Sequence, residues 1–227
     1  MNIKQNYLKH AIVLFLLLLL MQPGRAWAAY ENVEFSSLTN HDGLTNSQVG
    51  AILKDTRGYI WFGTQSGLCR FDGFRMKTFY YSNTDDKSLP NNSVDELQQD
   101  YDGNIWVHTS VGYSIYKYDE EQFDRKPEEW LKSIHVQGPP YKLLIDKDKN
   151  MWIAVYGQGL YYHNAKTKNT YLFKFTKKAQ PGCLKEGNIS KITEVDGDAL
   201  ITYDDGTICR VNGQKQKVLW YNSFLAK

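Results

Sequence analysis

Cysteine is scarce here, with three residues in 227: Cys69, Cys183 and Cys209. A small, odd number excludes a disulfide-framed scaffold, and no two of the three have the close spacing of zinc ligands. An excess of one charge is also missing. Lys and Arg number 27 against 25 Asp and Glu, a net charge of +2, so the concentrated basic face of a nucleic-acid binder is absent. Long apolar runs are missing as well. The longest, Ala11 to Met21, has eleven residues, well short of the roughly 20 that cross a bilayer.

That run reads as something else. Lys4 and Lys9 precede it, Pro23 and Gly24 break it, and Ala26-Trp27-Ala28 has the small-x-small form of a cleavage site. Residues 1–28 are therefore read as a signal peptide, and the chain as an exported protein with no later membrane span. Aromatics make up 14% of the chain and glycines number 17. Aromatic side chains suit pleated sheets and glycines suit tight turns, so the fold class is expected to be all-β.

A repeat decides the architecture. Val49 to Asp55, Thr56-Arg57-Gly58 and Tyr59-Ile60-Trp61-Phe62-Gly63-Thr64 run on to Gly67-Leu68-Cys69-Arg70-Phe71-Asp72-Gly73. The pattern returns from Val94 through Asp100-Tyr101-Asp102-Gly103 and Ile105-Trp106, and again from Leu143 through Asp146, Trp152 and Gly159-Leu160. A worn fourth copy runs from Ile189 to Val211. Trp61 to Trp106 is 45 residues, Trp106 to Trp152 is 46, and Trp152 to its counterpart Leu200 is 48. A period of roughly 40–50 residues with several short strands per unit is the signature of a β-propeller.

The expectation is a partial β-propeller of about four four-stranded antiparallel blades. Residues 29–48 form an N-terminal strand and lead-in, followed by blades at 49–87, 88–135, 136–180 and 181–227. The tryptophans would lie between blades, since one blade alone cannot bury both faces. Glu31 to Leu38, with its strand-like centre Val33-Glu34-Phe35, lacks a partner, because Lys217 to Tyr221 already supplies the outer strand of the last blade. The chain is accordingly read as four of a larger number of blades, with a self-closed four-bladed ring as the rival.

These residues resemble the two-component regulator propeller repeat. Gly43-Leu44-Thr45-Asn46 to Phe71-Asp72-Gly73 matches its pattern almost throughout. Ser88-Leu89-Pro90-Asn91 with Asp100 to Gly103 and Ile105-Trp106 matches it again, and the fourth copy matches only in register. The resemblance implies a periplasmic ligand-sensing region, the N-terminal part of a two-component sensor (a truncated hybrid histidine kinase) whose parent is anchored in the inner membrane. It implies further propeller blades of that parent and a glycan or oligosaccharide ligand as partners, with no catalysis in this chain. A free-standing secreted propeller that binds glycan or protein is the alternative.

The chemistry-bearing residues point the same way. Asp146-Lys147-Asp148-Lys149-Asn150 begins like a calcium loop, but Met151 and Gly157 stand where that loop needs its glycine and final acid, so it reads as a hairpin turn. His10, His41, His108, His135 and His163 show no i, i+4 pair. Gly63-Thr64-Gln65-Ser66-Gly67 is followed by neither a Lys nor a helix and is no phosphate cradle. Cys69 and Cys209 occupy the same place in two separated blades and are expected to be reduced. No catalytic, metal or cofactor-binding residue is assigned, and the ligand-binding residues stay unassigned. Tyr156 and Gln158, in a loop joining the second and third strands of a blade, are weighed as sugar contacts against solvated turn residues.

Overall fold

Short stretches of aromatic and β-branched residues that end at Asp, Asn or Gly fold onto their nearest neighbours in the chain as hairpins. The computed structural model, which describes residues 35–177 and 183–222, forms four such sheets. The first holds β1 (Val49–Lys54), β2 (Ile60–Thr64), β3 (Gly67–Phe71) and β4 (Met76–Phe79) in that order. The second holds β5 (Val94–Gln99), β6 (Ile105–Thr109), β7 (Gly112–Lys117) and β8 (Gln122–Asp124). The third holds β9 (Pro140–Ile145), β10 (Met151–Val155), β11 (Gly159–His163) and β12 (Thr170–Thr176). The fourth holds β14 (Ile189–Val195), β15 (Asp198–Tyr203), β16 (Ile208–Asn212) and β17 (Lys217–Asn222). The strands of these four sets pair antiparallel, which is the all-β blade arrangement expected.

Three details differ from the expectation. The third sheet gains a fifth strand, β13 (Leu184–Lys185), which joins β12 in parallel. A helix, α1 (Pro127–Ser133), lies between the second and third sheets. Pro127 at its start needs no N–H partner, and Glu128 and Glu129 suit the positive end of the helix. Its Leu131 is fully buried. Finally, Phe35 to Leu38, the described part of the expected N-terminal strand, is not strand. The signal peptide at 1–28 lies outside the described residues, as do Val33 and Glu34.

The hairpin between the first two strands of a blade is built by one carboxylate. Asp55 Oδ1 accepts from the N–H groups of Arg57 (2.9 Å) and Tyr59 (3.0 Å), and its Oδ2 accepts from the Trp61 indole at 2.7 Å. Asp100 does the same for Asp102, Asn104 and the Trp106 indole at 3.0 Å. Asp146 accepts from the backbone of Asp148 and Asn150. The Asp-x-x-Gly-x-x-Trp spacing is therefore a tether: one side chain closes the turn and satisfies the indole donor of the core aromatic. Gly58 and Gly103 take φ of +92° and +87° in these turns, where a side chain is disfavoured.

Blades stack through their faces. β1 packs on β5, β5 on β9, and β9 on β14. Trp61, Leu97, Ile105 and Tyr116 belong to the core between the first and second blades. Trp106, Leu131, Met151 and Ile153 belong to that between the second and third. Trp152, Phe173, Ile192 and Ile201 belong to that between the third and fourth. Burying each such aromatic contributes roughly 2–3 kcal/mol. Among the described residues, three cores join four blades, whereas a closed four-bladed ring needs four. The rear of the first blade bears the consequence: Ile52, paired with Phe62, is 67% exposed, while its counterpart Leu97, paired with Val107, is 8% exposed.

Candidate functional site

The strand nearest the axis opens each blade, and it carries an irregularity that recurs from blade to blade. In β1 the pairing with β2 slips between Val49 and Ala51. In β5 it slips between Val94 and Glu96, and in β14 between Ile189 and Lys191. In the third blade Pro140 pairs with Val155 and Lys142 with Ala154, leaving Tyr141 unmatched. All four inner strands thus bulge at their second residue, which is Gly50, Asp95, Tyr141 and Ser190 in turn. A bulge re-aims its side chain out of the ladder, so three successive blades present Asp95, Tyr141 and Ser190 at the same end of the axis, and Gly50 marks that place in the first.

A cleft of about 380 Å3 opens among these strands, lined by Asp95, His108, Lys142 and Ser190 with their neighbours. The His108 Nδ1 and Asp95 Oδ1 lie 2.6 Å apart, and the imidazole sits against the Tyr113 ring at 4.5 Å. Tyr113 donates its hydroxyl to Glu96 at 3.0 Å and accepts from the Leu143 N–H at 3.1 Å. Burial first, and the adjoining Glu96 second, hold that phenol protonated far above its ordinary range. Both acids of the cleft are thereby engaged. Lys142 and Lys191 have no carboxylate partner among the described residues.

Tyr141 lies flat on Tyr156, with ring centroids 3.9 Å apart and planes 17° from parallel, and its hydroxyl accepts from the Ile189 N–H at 3.3 Å. Tyr156 is 65% exposed, so its outer face is free. Gln158, weighed with Tyr156 as a sugar contact, is instead a clamp. Its amide donates to the Gln137 carbonyl at 2.7 Å and its oxygen accepts from Tyr161. The partner that completes the Tyr156 platform, Tyr141, lies in another strand, and only the folded register brings the two together.

The Asp146 loop and His163, both singled out in the sequence, are structural. The Asp146 loop is a hairpin turn, as above. His163 is fully buried, bonded through Nδ1 to Thr170 Oγ1 at 2.8 Å. The Ser190 hydroxyl donates to the Thr202 carbonyl at 3.0 Å. Cys69, Cys183 and Cys209 are free, and burial pushes the Cys209 thiol up to about 12. Among the described residues no cluster of His, Cys, Asp and Glu could hold a metal ion, and no helix is long and apolar enough to cross a membrane. The arrangement at the axial mouth is suited to holding a polar ligand by stacking and hydrogen bonds.

Comparison with known proteins adds four findings. Residues 43–66 and 88–110 match the family model described as two component regulator propeller. A 61-residue stretch is 41% identical to histidine kinase P4 of Formosa agariphila, covering 27% of this chain and 4% of that protein. The fold is similar to the extracellular domain of a B. thetaiotaomicron protein, BT3049, described as a hybrid two component system. The TM-score is 0.56 at 23% identity, over 81% of this chain and 26% of that one. It is also similar to PorZ, a surface component of the type-IX secretion system of Porphyromonas gingivalis, with a TM-score of 0.51 at 12% identity, over 80% of this chain and 23% of that one. The last two are likenesses of fold. The chain spans about a quarter of the length of the solved structures it resembles.

Proposed function

We propose, from the premise that this chain carries two-component regulator propeller repeats, that it is the N-terminal ligand-sensing propeller region of a periplasmic two-component sensor. In this reading residues 1–28 direct export and are removed. Further blades cover the bare end faces, and an inner-membrane span and a histidine kinase complete the parent. The chain itself binds and does not catalyse. An oligosaccharide is the expected ligand, and the axial mouth around Asp95, His108, Tyr141 and Tyr156 is the sensing surface.

One observation carries the reading: four blades, the first two carrying the matched repeat, stack through three cores and leave apolar side chains such as Ile52 bare at an end. Such a surface is a liability unless more chain covers it. The deciding experiment is to sequence the genomic DNA past the Lys227 codon. Further blades, a spanning helix and a kinase, in frame or after one frameshift, are expected. An unrelated gene at that place would overturn the reading.

A further inference from the structure

On the face opposite the axial mouth, the loop between β11 and β12 and the loop between β16 and β17 enclose a second cleft, of about 350 Å3. Its lining carries no carboxylate and no ammonium group, although 23% of the chain's residues are charged. Two tyrosine rings and a set of side-chain amides take their place.

The cleft is built rigidly across two blades. Tyr162, on the third blade, is buried, and the backbone of Gly213, on the fourth, rests on its ring. A Cβ at that glycine would stand 2.4 Å from the Tyr162 Cδ2. Asn164 donates to the Tyr162 hydroxyl at 3.3 Å and accepts from the N–H groups of Lys166 and Thr167. These groups shape the cleft and are spent in doing so. The amides of Asn169, Gln214 and Gln216 and the hydroxyl of Tyr171 also line it, and none of these four has a hydrogen-bond partner among the described residues.

We propose that this cleft is a second binding site, separate from the axial mouth, and that it takes a short uncharged saccharide. Amides both donate and accept, as sugar hydroxyls do. An aromatic face receives the C–H surface of a pyranose ring. A phosphate, sulfate or uronate would find no cation in the lining, and an apolar ligand would strand the free amides without partners.

The test uses the full chain, titrated by calorimetry with cellotriose, maltotriose and mannotriose, with trigalacturonate as the charged comparison. One of the neutral trimers is expected to bind, with an affinity that added salt leaves unchanged. Tyr171→Ala is expected to abolish the signal. Asn169→Ala and Gln216→Ala alter exposed loop side chains and leave folding intact, and each is expected to weaken binding about three- to tenfold, one neutral hydrogen bond apiece. Tyr156→Ala is expected to leave this binding untouched. Binding lost only in Tyr156→Ala would overturn this cleft while leaving the axial mouth as the sensing surface. Salt-sensitive binding of trigalacturonate alone, or no binding by any trimer to the folded chain, would overturn it as well.

Discussion

Blades one and four carry an arginine at the same register and use it differently. Arg70, paired with Trp61, crosses to the second blade, where it donates to the Tyr116 hydroxyl and to Glu121, both at 3.2 Å. Arg210, paired with Leu200, turns back into its own blade to Asp198 at 2.6 Å. Among the described residues the first has a blade to reach and the second has none. Leu200 likewise replaces the tryptophan of the other blades, and the strand beyond it leaves Trp220 44% exposed. A forward face that meets a neighbour is aromatic and tethered, and one that meets none among the described residues is smaller and folded on itself. The difference lies in what each face touches, since the strand order is the same.

The comparison breaks most sharply at the tryptophan position. Trp106→Ala empties a site walled by two blades and is expected to cost about 3–5 kcal/mol in urea unfolding. Leu200→Ala, on the bare face, is expected to cost less than about 1 kcal/mol. Equal losses would show that the fourth blade's forward face is covered in solution. A smaller effect follows at the turns. Asp100→Ala removes the acceptor for two backbone N–H groups and the Trp106 indole, at an expected cost of about 1–3 kcal/mol. Asp196→Ala, in the fourth blade's hairpin, is expected to cost less, under about 1 kcal/mol, because among the described residues that carboxylate makes only an exposed 3.7 Å contact with Arg210, and the change adds only the strain of alanine at a φ of +52°.

A third contrast is between pH ranges. Burial, and Lys168 second, hold the His163 imidazole below its ordinary value of 6.5. Among the described residues its Nε2 has no partner, so the folded chain resists the proton that the unfolded chain accepts. Stability from this residue is complete above pH 6.5 and is lost as pH falls from there through the folded-state value. Burial raises Asp100 and Asp146 instead, which acts in the opposite sense at lower pH. The difference between wild type and His163→Gln, measured by urea unfolding from pH 7.5 to 5, isolates the histidine. A parallel pair of curves would remove it as the source. The smallest effect is expected at Ile52→Lys, within about 0.5 kcal/mol, with less self-association on size-exclusion chromatography. Leu97→Lys, at the same register one blade on, is expected to unfold the chain.

The legible parts of the fold were those written into local spacing. The tryptophans repeat, the hairpin at Asp55–Gly58 has its glycine, and Lys217 begins an outer strand, as expected. What depends on contacts between blades was not legible. The bulges fall on Gly50, Asp95, Tyr141 and Ser190, and only the glycine hints at one. The seven residues of α1 are too few for a helical period to stand out, although Pro127-Glu128-Glu129 is a start signal. Tyr156 could be picked out as an aromatic loop residue. Its stacking partner Tyr141, and the use of both ends of the Gln158 amide, depend on register and turn geometry that one sequence does not state.

The ordering of cores along the chain also bears on how the protein is made. Each sheet forms from strands consecutive in sequence, and each core joins a blade to the next one synthesised. Tyr118 donates across such a junction to Asp55, 63 residues behind it. Nothing in the described part has to wait for the last strand before the first can dock. A chain that emerges amino-terminus first can settle one blade while the next is still being made. Each emerging blade then uses the bare face of the one before it as its template.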